Sequence, residues 1–242
     1  LYIETGKQKL LFDMGQTDLF TRNALALGID LKAVDMAFLS HGHYDHGGGL
    51  VRFLELNDQA PIYVSAHAFE PHYAGTDRYI GLDTALALNP RFTLVEDRFD
   101  IDGTLSLCSC NDLPRPCPSD SGGLTMLLED KFVQDDFRHE QYLLIREGGR
   151  RILISGCSHK GILNIMDWFR PDILIGGFHF MNIDPDEEGR ETLSQRAAAL
   201  LAYPTVYYTG HCTGVSQYEY LKTLMGERLH YLSCGQALTL PL

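Results

Sequence analysis

His41, His43, Asp45 and His46 crowd four potential metal ligands into six positions, after the apolar run 36–39 and before Gly47, Gly48 and Gly49. Imidazole and carboxylate groups are costly to bury without partners, so a cluster this dense at a strand end points to an ion that binds it. In a tight loop, alternate side chains turn to a common point. His41 and His43 can then bind one ion while Asp45 and His46 reach a second beside it, and the glycines let the backbone pass close and begin a helix. A lone histidine would carry little weight, but four donors at this spacing do not fit a packing role.

The surrounding pattern supplies the elements that must hold such a loop. Residues 1–5 and 9–13 read as strands joined by a hairpin turn. A helix is expected over 17–28, capped by Thr17 or Asp18 and closed by Gly28, then a buried strand at 36–40, a helix at 50–56 and a strand at 62–66. This is a βαβ rhythm. From about 67 to 122 the pattern weakens into a loop-rich stretch with strands at 91–97 and 103–109 and the proline-rich run 113–120, which reads as an insertion or lid. Strands return at 123–129, 141–147 and 151–156, the last two joined by Gly148 and Gly149. Helices at 161–169, 187–202 and 217–225 then alternate with strands at 172–177, 205–210, 229–233 and 236–240. Hairpins followed by βαβ units in each half predict two sheets packed face to face with helices outside, an α+β class.

Composition bounds the function classes. A chain of 242 residues with 45% hydrophobic content can bury one sizeable core, and we expect one domain over 1–242. Lys plus Arg at 20 against Asp plus Glu at 32 gives a net charge of -12, which disfavours sequence-independent binding to nucleic acid or an anionic membrane surface. No apolar run is long enough to span a bilayer and the first residues lack a signal-peptide pattern, so a cytoplasmic protein is expected. The chain opens inside a strand-like run, which leads us to expect a strand upstream. Six cysteines without a secretion signal are expected as reduced thiols, and Cys108, Cys110 and Cys117 fit no common zinc spacing.

The H-x-H-x-D-H run after a buried strand resembles the signature of the metallo-β-lactamase superfamily. That resemblance implies a four-layer αβ/βα sandwich with the metal site at one edge. It also implies that Asp13, at an early strand end, orients the ligand loop, and that His159 and His211, each after an apolar strand and before a helix, complete the ligand set. Segments 156–162, 176–180 and 209–214 together look like the branch containing dihydropterin ribofuranosyl-aminobenzene phosphate synthases and related hydrolases. One departure stands out. Many members carry a bridging aspartate where this chain has Gly176 and Gly177, and His179 follows as a replacement ligand, a substrate contact or a packing residue.

The implied function is a hydrolase using a metal-bound hydroxide on a small anionic substrate. His41, His43 and His159 would bind one divalent ion and Asp45, His46 and His211 the other, with zinc expected and iron or manganese tolerated by the same donors. Asp45 is also expected to relay a proton, and Tyr44, Lys160 and His179 are candidates for protonating the leaving group. His139 and Glu140 stand at a strand entry, where support of the ligands and surface exposure remain open. Without the bridging carboxylate the site would keep about +2 rather than about +1, which favours a phosphate- or carboxylate-bearing substrate. Two alternatives are a synthase acting on a phosphate-bearing pterin-type substrate and, less favoured, a diiron redox protein.

Overall fold

The computed structural model describes residues 1–119 and 122–241, so Asp120, at the end of the proline-rich run, lies outside the described residues. The chain divides into two compact units that interleave in sequence. The first comprises 1–99, 107–111 and 123–141, and the second 100–106, 112–122 and 142–242.

In the first unit β1 (Tyr2–Glu4) and β2 (Lys9–Phe12) form the expected hairpin, followed by α1 (Leu19–Ala26), β3 (Met36–Phe38), α2 (Tyr44–Gly47), α3 (Leu50–Leu56) and β4 (Ile62–Ser65). The stretch read as a lid contributes β5 (His72–Ala74), β6 (Arg78–Tyr79), β7 (Phe92–Val95), β8 (Arg98–Asp100) and β9 (Leu105–Cys108), and is followed by β10 (Leu124–Leu128) and β11 (Lys131–Gln134). One sheet runs β1-β2-β3-β4-β7, parallel from β2 onward, and a small antiparallel sheet runs β11-β10-β5-β6. Helical crossovers return the chain to the same edge between β2 and β3 and between β3 and β4, and the longer connection through β5 and β6 does so before β7. Leu11, Leu39, Leu50, Phe53, Ile62 and Val64 share one core, each contributing about 1.5–3 kcal/mol by burial.

The second unit holds β12 (Tyr142–Glu147), β13 (Arg150–Ile154), α4 (Ile162–Phe169), β14 (Ile173–Ile175), α5 (Glu187–Leu201), β15 (Val206–Thr209), α6 (Val215–Met225) and β16 (Leu229–Tyr231). The third sheet has the order β16-β15-β14-β13-β12-β9-β8, with β13 to β16 parallel and β12 antiparallel to β13. One expectation fails locally. Residues 236–240 form no strand: they lie exposed, and alternation alone cannot make a strand without a neighbour to pair its amides. Conversely β11 was not anticipated. Its hairpin with β10 turns through Glu129 (φ +49°) and Asp130 (φ +60°), so the two left-handed positions lack the Asn-Gly or Asp-Gly pair that normally marks such a turn.

Candidate metal centre

The ligand loop of the first unit grows from β3. Ala37, Phe38 and Leu39 are fully buried, and Leu39 donates its N–H to the Tyr63 carbonyl, so the strand end is anchored before the histidines begin. The four candidate ligands are not all in a loop: α2 starts directly after His43 and places Asp45 and His46 in one helical turn. A Cβ on Gly42 would run into the Ala68 carbonyl oxygen, so the residue between His41 and His43 has to be glycine.

Hydrogen bonds fix which ring nitrogens stay basic. Asp13, itself at φ +60°, accepts from the Ser40 N–H and the Ser40 hydroxyl, each at 2.7 Å, and from His46 Nδ1 at 2.7 Å. Since the Ser40 hydroxyl gives its proton to Asp13, its lone pairs accept from His41 Nδ1 at 2.8 Å. Both histidines therefore carry their proton on Nδ1 and present Nε2 as the basic nitrogen, the arrangement that orients a metal-binding imidazole. His41, His43 and His46 are buried and Asp45 is partly exposed. Burial, with His139 and His72 close by, pushes the His43 pKa well below the usual histidine value, so the ring stays in the neutral form that ligates.

A second group stands behind this loop in the same unit. His43, His72, Asp135 and His139 bring four buried donor atoms within 4.8 Å of one another. His139 is fully buried rather than exposed, and its Nδ1 accepts the Gly42 N–H at 2.9 Å. Asp135 accepts from His72 Nδ1 at 2.8 Å and from the Phe137 N–H at 2.8 Å, and His139 Nε2 lies 3.4 Å from its carboxylate. Burial alone would raise the Asp135 pKa, but the neighbouring His139 and His72 outweigh it and hold the carboxyl ionised far below its usual range. Burial, followed by the neighbouring His72, lowers the His139 pKa. Reading the sequence missed His72 and Asp135 altogether. They stand 63 residues apart, one opening a strand and one following another, with no spacing signal.

In the second unit His159 follows β13 and precedes α4, and is buried. Ser158 before it sits at φ +59°, and the Ser155 and Ser158 hydroxyls are 2.8 Å apart. His179, at φ +56° in the segment after β14, brings its ring to 4.4 Å from that of His159. His211 is exposed, at φ +51° in the turn 211–213 between β15 and α6. Lys160 is fully buried with its ammonium 5.8 Å over the Tyr142 ring, a cation–π contact. Gly177 has its own reason to be glycine: a Cβ there would collide with the Cys212 sulfur, and the next amide, Phe178 N–H, donates to the Thr213 hydroxyl at 2.9 Å. Close approach of two segments excludes a carboxylate at this position. None of the six cysteines forms a disulfide, as expected of reduced thiols. Among the described residues, no helix is long and apolar enough to cross a membrane.

These elements, with an HxHxDH loop at a strand end braced by an early aspartate, define a class, the metallo-β-lactamase fold of mixed sheets and helices. The chain belongs to the metallo-β-lactamase superfamily, whose family model matches residues 1–211. Two proteins of Methanocaldococcus jannaschii are similar to it. One is an uncharacterised protein, 31% identical over 222 residues, covering 88% of this chain and 82% of the relative. The other is named 7,8-dihydropterin-6-methyl-4-(β-D-ribofuranosyl)-aminobenzene-5′-phosphate synthase, 31% identical over 228 residues, covering 86% and 76%. A crystal structure described as a metal-dependent hydrolase of the β-lactamase superfamily is 29% identical, with a TM-score of 0.79 and coverage of 96% of this chain and 88% of that one.

Proposed function

We propose that this protein is a metal-dependent hydrolase of small anionic substrates. The observation that carries the reading is the Asp13–Ser40 relay, which leaves Nε2 of both His41 and His46 basic at the end of β3. Neutral, oriented imidazoles with one carboxylate suit zinc, iron or manganese, and two such ions supply an acidified water and stabilise negative charge that develops on the substrate. His41, His43 and His159 are the proposed ligands of one ion, and Asp45, His46 and His211 of the other. The hydrolase described at 29% identity supports this assignment, and the superfamily resemblance of the motif supports the pairing of ligands.

Asp45 is the one carboxylate in that ligand set, so excess positive charge favours a phosphate or carboxylate group on the substrate. For protonating the leaving group, partly exposed His179 and Asp45 are better candidates than Lys160, whose ammonium is buried against Tyr142. A second reading, a synthase acting on a phosphate-bearing pterin-type substrate, is favoured by the name of the relative at 31% identity. Product analysis separates the two.

The test is elemental analysis of protein prepared without chelator, followed by a screen of phosphodiesters, phosphomonoesters and lactones with inorganic phosphate as a competitor. We expect bound divalent metal, turnover of an anionic member of the panel and competitive inhibition by phosphate. Metal-free protein with full turnover would overturn the proposal.

A further inference from the structure

We propose that His139, set against Asp135 and His72, is a positioning residue for the ligand loop. Its Nδ1 takes the Gly42 N–H and so sets the backbone between His41 and His43. The inference rests on the proposed metal site but concerns a group of residues outside the proposed ligand set, apart from the loop it supports.

Proton accounting decides what this cluster is. Four donor atoms within 4.8 Å resemble a further cation site. A neutral imidazole has one lone pair in its ring plane, however, and in His139 that lone pair is on Nδ1 and engaged by the Gly42 N–H at 2.9 Å. Nε2 of His139 therefore bears the proton, with the Asp135 carboxylate 3.4 Å away, beyond a formed hydrogen bond. Both oxygens of Asp135 are also committed, one to the Phe137 N–H and one to His72 Nδ1, each at 2.8 Å. His43 belongs to the proposed ligand set in front, so the residues behind the loop leave His72 Nε2, buried and without a hydrogen-bond partner, which is one donor and too few to hold an ion of their own. The cluster is a brace: the Asp135 carboxylate binds His72 and stands against His139, and His139 fixes the backbone amide of Gly42.

The rest of the segment acts in the same direction. Phe137, at φ +56°, turns the chain so that its N–H reaches Asp135, and its carbonyl accepts the Glu140 N–H at 2.9 Å. Gln141 then donates its backbone N–H to the Ser40 carbonyl at 2.8 Å and its side-chain amide to the Leu39 and Tyr63 carbonyls at 2.8 and 3.2 Å. Residues 135–141 thus grip Leu39, Ser40 and Gly42 in turn, three of the four positions from the end of β3 to the first pair of histidines. Every group in the grip is buried, so each lost hydrogen bond leaves a donor or acceptor with no water to replace it.

The experiment compares His139→Leu, His139→Asn and His72→Ala with the native chain in two measurements. One is hydrogen exchange at the Gly42 amide in metal-free protein, and the other is zinc affinity and stoichiometry by chelator competition and elemental analysis. His139→Leu is expected to speed Gly42 exchange at least about tenfold and to weaken zinc binding about tenfold to a hundredfold. In His139→Asn the amide oxygen stands where Nδ1 was, and most of both effects should be recovered. His72→Ala should leave the number of bound ions unchanged. Gly42 exchange unaltered in His139→Leu, an asparagine variant as impaired as the leucine one, or an ion lost with His72 would each overturn the proposal. Should His139→Leu fail to fold, the comparison of His139→Asn with the native chain decides. If zinc fails to bind the native chain at all, the metal reading falls, while Gly42 exchange still judges the brace.

Discussion

Around the candidate ligands of the first unit the left-handed backbone falls on supporting residues, whereas in the second it falls on the candidates themselves or beside them. In the first, Asp13 and Ser40 orient His41 and His46, and the left-handed residues are the supports, Asp13 and Phe137. In the second, the left-handed residues are His179 and His211 themselves and Ser158 beside His159. A left-handed conformation costs a non-glycine residue about 1–2 kcal/mol and persists where the surroundings dictate it. One half of the proposed site thus has Asp13 and Ser40 hydrogen-bonded to its histidines, and the other carries backbone strain at its own residues. Removing a support should loosen the first, and relieving strain should stabilise the second at the expense of its geometry.

The largest expected effect is that of His41→Ala, which should abolish turnover and lower metal content while circular dichroism remains native. Full turnover in that variant would break the assignment of the first half. Next comes Asp13→Asn, which keeps the shape but returns the Ser40 and His46 bonds only in part. Zinc affinity should fall about tenfold to a hundredfold, and an unchanged affinity would show that the support is dispensable.

Acid should then act on the metal-free fold through the first unit. Burial lowers the pKa of His139 and His43 in the fold, so below about pH 6.5 the unfolded chain takes up protons that these rings refuse. Stability is expected to fall as pH drops through that value, by at most about 1.4 kcal/mol per pH unit for each ring, and denaturant titrations at pH 7.5 and 5.5 measure it. A His139→Asn variant should show a shallower fall. The smallest effect sharpens the comparison from the other side. His211→Gly should raise the stability of the metal-free protein by about 1 kcal/mol, seen as a melting temperature about 2–4 °C higher, while weakening metal binding. A loss of stability would mean that His211 is not strained.

Several of these features were legible because they are local. The hairpin of β1 and β2, the helices, the buried run into β3 and the HxHxDH loop all follow from short-range pattern, and the place of Asp13 followed from the resemblance that the loop carries. Others were not. The turn at Glu129 and Asp130 carries no turn residues, and the alternation at 236–240 has no neighbour to pair with. Gly177 read as a missing ligand, but the Cys212 sulfur occupies the space that a side chain would need.

The sequence by itself determined which residues with metal-type donor atoms stand at strand ends and the order in which strands deliver them, because donor chemistry and strand-end spacing are properties of short segments. Only the tertiary structure decided which nitrogen His41, His46 and His139 offer and what holds the loop in place. Those depend on hydrogen bonds between residues far apart in the chain, Asp13 with Ser40 and His46, His72 with Asp135, and Gly42 with His139 97 positions on. A buried proton has one place to go only when all its neighbours are present, and no short segment contains them all.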